Sequence, residues 1–139
     1  MKVLLIALTL LLVRHAEKKD SSLDTPLSPT GEQRAAALAS KLRDAHLSAI
    51  YATSFQRTQQ TVKPLADALH LSLKIHDAKD TAGLVALLKK EQGTVVVAGH
   101  SNTLPEIALA FGCKIEPLAE NEFDSLFVVG SDVCIKLHQ

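Results

Sequence analysis

One short run of residues constrains the fold of this chain more than any other. TVVVAG, at positions 94–99, has four β-branched residues in a row and no charge. A strand that is apolar at successive positions has to be covered on both faces, and such strands occur in parallel sheets flanked by helices. Strand patterns also alternate with helical patterns along the whole chain. The sequence therefore predicts an α/β fold, a three-layer α/β/α sandwich with a mostly parallel central sheet.

The alternation can be placed along the 139 residues, which we expect to form a single domain, 1–139. The predicted strands are the apolar run ending at residue 13, then 47–53, 71–75, 94–99 and a closing hairpin that turns at Gly130 and Ser131. The first predicted helix runs from 29 to about 45, after a cap at Ser28. The second follows a cap at Ser54, and Pro64 should kink it or delay its start. The third lies around residues 84–88, and the fourth begins near Asn102.

The composition argues against a nucleic-acid partner. Lys and Arg together number 15, as do Asp and Glu, and aromatic residues make up 4% with no Trp. Neither a basic surface nor a set of stacking side chains is therefore expected. Any phosphate-binding function has to come from a local cluster of cations.

Two features bear on the cellular compartment. Residues 1–13, MKVLLIALTLLLV, resemble the apolar part of a signal peptide but are too short to span a bilayer. No small-residue cleavage site separates them from Arg14, so we expect a buried first strand and a cytoplasmic protein without a stable membrane span. Export is the alternative, if the segment derives from a signal sequence. Cys113 and Cys134 lack metal or redox spacing and are expected to be unpaired, in a reducing compartment, with a disulfide between them as the less favoured alternative.

Two of the predicted strands end at a histidine. Arg14 and His15 follow the first strand, and His100 follows the apolar run at 94–99. Arg57 falls in the first turn of the helix after the second strand. Because ligands of such sheets bind beyond the carboxyl ends of the strands, these four side chains are predicted to converge.

Two guanidiniums and two imidazoles, with helix N-termini nearby, suit a dianionic tetrahedral group such as phosphoryl. Neighbouring positive charge favours neutral imidazole, which is a competent nucleophile. Phosphoryl transfer then requires little beyond positioning and charge stabilisation. The remaining histidines show no ligand spacing, so neither a metal nor another cofactor is expected.

Four blocks, in order, carry a family resemblance: LVRHAEK, PLSPTGEQRA, YATSFQRTQQTVKPLADAL and VVVAGHSNT. They resemble the histidine phosphatase superfamily, which has the phosphoglycerate-mutase-like fold, and most of all its small members such as the bacterial phosphohistidine phosphatases. The resemblance implies metal-independent hydrolysis of phosphomonoesters or phosphoramidates through a phosphohistidine at His15. Arg14, Arg57 and His100 would bind the phosphoryl group.

The resemblance also implies further contacts and shows two departures. The additional substrate-binding candidates are Lys18, Ser21, Ser101 and Asn102. Ala16 replaces the usual glycine after the nucleophile, and the acidic segment that supplies a general acid in many members is nearly absent. The candidate acids are Glu17 and Asp77, then Asp80 and Glu106, without a motif for any of them. A missing acid favours good leaving groups and argues against mutase activity. The substrate would be a phosphorylated small molecule or a phosphoprotein.

Two other functions fit parts of the sequence. One is a phospho-ligand binding module on the same fold that has no chemistry. The other is a serine α/β-hydrolase, because GHSNT is close to the G-x-S-x-G pattern, with Ser101 as nucleophile and Asp132 and His138 following in the required order. The hydrolase leaves Arg14 and His15 without a role.

Overall fold

The central sheet has six strands, and a computed structural model describes it over residues 7–139. In chain order the elements are β1 (Leu8–Arg14), α1 (Pro29–Leu42), β2 (Leu47–Thr53), α2 (Gln56–Leu69), β3 (Leu73–His76), α3 (Thr81–Leu88), β4 (Gly93–Gly99), α4 (Leu104–Ala110), β5 (Ser125–Val129) and β6 (Cys134–His138). The strand order is β3-β2-β4-β1-β5-β6. Strands β3, β2, β4 and β1 pair in parallel, and β5 is antiparallel to both neighbours. The predicted mostly parallel sheet is confirmed; residues 1–6 of the predicted first strand lie outside the described residues.

The two faces of the sheet carry separate cores, which explains the uninterrupted apolar run in β4. On one face, Val95 and Val97 belong to a cluster with Leu84, Leu88 and Ile107 of α3 and α4. On the other, Val96 and Ala98 belong to a cluster with Leu38, Val62 and Leu65 of α1 and α2. Successive side chains of a strand point to opposite faces, so a strand buried under both helix layers has to be apolar throughout. The predicted three layers are confirmed.

Most elements lie close to their predicted bounds. Helix α1 begins after Ser28, whose hydroxyl caps it as predicted, and ends at Leu42 rather than near residue 45. Strand β3 begins at Leu73 rather than 71. Helix α4 begins at Leu104, slightly later than predicted. The closing hairpin forms as predicted, with the Gly130 N–H donating to the carbonyl of Val133.

Helix α2 departs from the prediction at its start. The N-cap position is Phe55 rather than Ser54, and its side chain makes no capping hydrogen bond. Instead, the carboxylate of Asp24 accepts a hydrogen bond from the Gln56 N–H at 2.8 Å. A carboxylate is favourable at a helix N-terminus, so this contact ties the loop after β1 to α2. Pro64 lies inside the helix and does not delay its start.

The two cysteines form a disulfide, which corrects the expectation that they are unpaired. Cys113 follows α4 and Cys134 opens β6, and their Cα atoms are 5.4 Å apart. The residues are separated by 21 positions in the sequence, but α4 and the edge strand β6 meet only once the sheet has formed. Spacing alone carries no such information. Because disulfides persist in oxidising compartments, the expectation of a reducing compartment loses its support.

Reduction of this disulfide is expected to lower the free energy of unfolding by about 3 kcal/mol, because the open loop regains chain entropy in the unfolded state. Urea unfolding with and without dithiothreitol, with thiol titration to verify reduction, measures the change. The double variant Cys113→Ser/Cys134→Ser should have the stability of the reduced protein and should not respond to reductant. An unfolding midpoint that is equal before and after verified reduction would contradict the expectation.

Candidate active site

The pairing of β1 with β4 brings the two histidines together. Arg14 lies opposite Gly99 at the carboxyl ends of these parallel strands, and the His15 N–H donates to the Gly99 carbonyl at 2.9 Å. The next residue along β4 is His100. The two imidazole centroids are 5.4 Å apart in an edge-to-face arrangement, and both side chains are buried. Their proximity follows directly from the strand register.

His15 is held as a neutral imidazole with one free nitrogen. Its Nδ1 lies 2.8 Å from the carbonyl oxygen of Ala16. A carbonyl can only accept, so Nδ1 carries the proton and Nε2 presents a lone pair. Burial is the main cause that lowers the pKa of His15 to about 3; the hydrogen bond to Ala16 opposes it, and His100, Arg14 and Arg57 act in the same direction as burial. At neutral pH, Nε2 is therefore unprotonated, and it makes no hydrogen bond to any residue of the described chain.

Arg14 is fixed by a distant segment of the chain. One terminal nitrogen donates to the carbonyls of Ala119, Glu120 and Glu122 at 3.2, 2.9 and 3.0 Å. The guanidinium carbon lies 4.1 Å from the ring centroid of Phe123, in cation–π contact. The segment between α4 and β5 thus orients the guanidinium beside His15.

Arg57 is fixed in a similar way on the opposite side. Its terminal nitrogen donates to the carbonyl of Leu23 at 2.9 Å, and its guanidinium lies 4.3 Å from the ring centroid of Phe55. Burial lowers the pKa of both guanidiniums, but arginine stays charged in proteins. Each arginine of the site is therefore anchored through a terminal nitrogen and an aromatic ring.

The same two arginines also carry unsatisfied donors. Among the side chains of residues 7–139, the buried nitrogen or oxygen atoms without a hydrogen-bond partner are Nε of Arg14 and Nε of Arg57. A buried donor without a partner costs about 1–3 kcal/mol, and more when the group is charged. Two such donors, on guanidiniums that neighbour the free nitrogen of His15, suit an oxyanion.

His100 is oriented from β2. Its Nε2 lies 2.9 Å from Oγ1 of Thr53, the last residue of that strand. Phe55 contacts the imidazole edge to face, with a centroid distance of 5.4 Å. Burial lowers the pKa of His100 to about 4, with Arg57 and Arg14 acting in the same direction. In the ligand-free site this imidazole is also neutral at pH 7.

Of the four additional substrate-binding candidates, two line a cavity at the site. Lys18 and Ser21 border a cavity of about 690 Å³ together with Arg14 and Phe123. Ser101 and Asn102 follow His100, and their side chains make no hydrogen bond within the described part of the chain. The structure thus gathers the loop candidates around Arg14, whereas the pair after β4 has no contact that argues for a role.

None of the four candidate acids makes a hydrogen bond to His15 within the described residues. Glu17 makes a bidentate pair with Arg34 at 2.8 Å for both hydrogen bonds, and this pairing lowers the pKa of its carboxyl. Such a carboxylate has no proton to donate at neutral pH, so the geometry argues against the acid role predicted for Glu17. Asp77 accepts from the Lys79 N–H, and Asp80 caps α3. Glu106 is an exposed residue in the first turn of α4.

The residues of the predicted hydrolase triad lie apart. Ser101 follows β4 at the carboxyl ends of the parallel strands. Asp132 lies in the turn of the β5–β6 hairpin, which is at the amino ends of those strands because β5 runs antiparallel to β1. His138 is on the edge strand β6, three positions from β4 in the sheet, and its Nδ1 is 3.3 Å from a carboxylate oxygen of Asp124. A triad requires mutual hydrogen bonds, so the structure contradicts the serine hydrolase.

Several residues that build the site were not identified from the sequence. Thr61, one helical turn after Arg57, accepts from the Ala16 N–H at 2.8 Å and donates to the Arg57 carbonyl at 2.6 Å. This spacing on α2 could have identified it as a link between the two halves of the site. Phe55 adjoins Arg57 in the sequence, but Phe123 comes from a segment without any motif. No group of three or more His, Cys, Asp or Glu side chains within residues 7–139 could hold a metal ion.

Comparison with known families identifies the class of protein. Residues 10–80 match the model of the histidine phosphatase superfamily (branch 1). The matched stretch contains Arg14, His15 and Arg57, and His100 lies beyond it. Since the match covers about half of the chain and agrees with the fold, the protein belongs to the histidine phosphatase superfamily, as its sequence blocks predict.

The individual relatives are more distant. Fructose-2,6-bisphosphatase TIGAR B of Danio rerio is 35% identical over an alignment of 105 positions, which covers 69% of this chain but only 38% of that protein. The protein histidine phosphatase SixA complexed with tungstate has a TM-score of 0.70 at 19% identity, covering 94% of this chain and 96% of that one. Mycobacterial glucosyl-3-phosphoglycerate phosphatase with inorganic phosphate has a TM-score of 0.73 at 16% identity, covering 94% and 95%. At these identities the two structures support the phosphoglycerate-mutase-like fold.

Proposed function

We propose that the protein is a metal-independent phosphatase that hydrolyses phosphomonoesters or phosphoramidates through a phosphohistidine at His15. The observation that carries the proposal is the pair of buried, unpartnered Nε donors on Arg14 and Arg57 beside the free Nε2 of His15. A bound phosphoryl group would satisfy both donors and present its phosphorus to the nucleophile. Positioning of this kind, with charge stabilisation, is what phosphoryl transfer requires.

The proposed reaction has two displacements at phosphorus. In the first, Nε2 of His15 forms a bond to phosphorus while the bond to the leaving group breaks, and the leaving group departs with the electron pair and takes a proton from solvent water. In the second, water attacks the phosphohistidine, loses a proton, and returns the electron pair to Nε2 as inorganic phosphate forms. The hydrogen bond from Nδ1 to Ala16 keeps the reactive tautomer in place in both steps.

Substrates with good leaving groups fit this site best. Glu17, the acidic side chain nearest to the nucleophile in the sequence, is held ionised by Arg34. Expulsion of an alkoxide without an acid is slow, so phosphoramidates, acyl phosphates and aryl phosphates should be preferred. The cavity of about 690 Å³ beside Arg14 falls in the range of small-molecule sites, so it has room for the rest of a phosphorylated small molecule.

The disulfide bears on where the protein would act. A cystine between α4 and β6 favours a compartment in which thiols are oxidised, against the cytoplasmic prediction. No helix within residues 7–139 is long and apolar enough to cross a bilayer. Because of the disulfide, we propose that the exported alternative describes this protein better.

A binding module on the same fold is the competing proposal, and intact-protein mass spectrometry separates the two. The protein is mixed with an aryl phosphate at neutral pH and quenched after milliseconds to seconds. A phosphatase should gain the mass of one phosphoryl group transiently, and the adduct should be labile in acid. Since breakdown can outrun formation, release of the aryl alcohol is followed in the same samples. Neither adduct nor turnover would leave the binding module as the better description.

A further inference from the structure

Two buried threonine hydroxyls lie behind His100. Thr58, in the first turn of α2, has its Oγ1 3.0 Å from the Thr53 carbonyl and 2.9 Å from the Phe55 carbonyl. The same Oγ1 is 2.7 Å from Oγ1 of Thr53, which in turn is 2.9 Å from Nε2 of His100. Thr53 and Thr58 are both buried, so water does not compete for these bonds.

The donor of each hydrogen bond in this network can be assigned by starting from the carbonyls that contact Thr58. Carbonyls only accept, and if Thr58 gave its single hydroxyl proton to Thr53 instead, its Oγ1 would face both carbonyl oxygens with no proton between them; the proton therefore goes to a carbonyl. Oγ1 of Thr58 then has to accept from Thr53, which uses the hydroxyl proton of Thr53. Oγ1 of Thr53 can therefore only accept from the imidazole, and Nε2 of His100 has to carry a proton. The neutral imidazole consequently has a bare Nδ1, which makes no hydrogen bond to any of the described residues.

We infer that Thr53, anchored by Thr58, is a positioning residue that fixes His100 in the Nε2–H tautomer, so that His100 donates to a bound phosphoryl oxygen only as an imidazolium, from Nδ1. Phosphoryl oxygens accept hydrogen bonds, and a bare Nδ1 facing them would repel them. Binding of a phosphoryl dianion is then accompanied by uptake of one proton at His100. This inference rests on the proposed function, because it concerns a phosphoryl group held at His15.

The charges around His100 support the inference that its protonation accompanies binding of the dianion. Arg57 at the start of α2, and Arg14 and His15 at the end of β1, face the imidazole. Both guanidiniums oppose a second proton on His100 while the site is empty. Asp77 is the acidic residue that shares a small cavity with Thr53 on the side of α3 and α4. A bound dianion offsets the two guanidiniums, so protonation of His100 becomes favourable only in the complex.

Nitrogen NMR of histidine-labelled protein tests the tautomer directly. The ligand-free wild type should show His100, assigned by loss of its signals in His100→Gln, with a protonated Nε2 and a bare Nδ1. Thr53→Val should lose this preference, and the matched control Thr53→Ser should keep it. A wild-type His100 with its proton on Nδ1 would overturn the inference, and that result requires no variant of Thr53 to fold.

Tungstate binding tests the proton uptake, because tungstate stays a dianion at neutral and alkaline pH. If one proton is taken up, the wild-type Kd should rise about tenfold per pH unit between about pH 7 and 8. Thr53→Ser should show the same rise. In Thr53→Val the rise should be much smaller, since a neutral His100 can now donate from Nδ1. His15 is unchanged in this variant, so an equally steep rise would assign the proton to His15 and overturn the inference.

The two proposals fail in different ways. If no phosphohistidine forms but the wild type shows the predicted tautomer and pH-dependent tungstate binding, the catalytic function fails and the role of Thr53 stands. If the phosphohistidine forms but tungstate binding is independent of pH, the role of Thr53 is wrong and the phosphatase stands. Thr58→Val, which removes the anchor without contacting His100, should reproduce the effect of Thr53→Val in weaker form.

Discussion

Replacement of His15 by Asn is expected to lower kcat for an aryl phosphate by at least about 10⁴-fold and to abolish the phosphoryl adduct. Asn has no nitrogen lone pair that can attack phosphorus, whereas Nε2 of His15 is neutral and free of hydrogen bonds within the described residues. The arginines of the site are unchanged in this variant. Phosphate or tungstate should therefore still bind, which separates loss of chemistry from loss of the site.

The matched control for this experiment is His46→Asn, which changes an exposed histidine and should leave kcat and KM as in the wild type. Thermal unfolding of both variants verifies that they are folded. A His15→Asn variant that retains more than about a hundredth of the wild-type rate would show that another group attacks phosphorus. An adduct that persists in this variant would lead to the same conclusion and would locate the nucleophile by peptide mapping.

The parts of the fold that follow from local sequence could be predicted. The apolar run of β4 has to be buried on both faces, and the histidine after it has to emerge at the carboxyl edge of the sheet. Arg14, His15 and His100 therefore meet because two strand ends meet. Ser28 could be identified as a cap because capping depends on residues within one helical turn.

Contacts between distant segments could not be predicted in the same way. The pairing of Cys113 with Cys134 depends on the position of β6 at the sheet edge, next to β5. The carbonyls that hold Arg14 come from residues more than a hundred positions away, and backbone carbonyls leave no trace in the sequence. The pairing of Glu17 with Arg34, which removes a candidate acid, depends on how the loop after β1 lies against α1. Each of these contacts is a property of the tertiary structure.

Substitution of Arg14 and substitution of Arg57 are expected to disturb the fold to different extents. Arg14 donates to three carbonyls of one segment and stacks on Phe123, so its loss would also release that segment. Arg57 has a single carbonyl partner, at Leu23, and is only partly buried. Substitution of Arg57 therefore measures the contribution to phosphoryl transfer with less disturbance of the fold.

Arg57→Ala is expected to reduce kcat/KM by at least about 10²-fold, roughly 3 kcal/mol of transition-state stabilisation, because a preorganised cation is removed from the phosphoryl oxygens. Arg57→Lys should recover part of this loss, since an ammonium keeps the charge but lacks the planar fork and the Nε donor that is buried without a partner in the free protein. Arg43→Ala, at the exposed end of α1, is the control and should have wild-type kinetics. If Arg57→Ala keeps kcat/KM within about threefold of the wild type, the buried Nε of Arg57 does not face the phosphoryl group, and Arg14 alone would have to supply the positive charge.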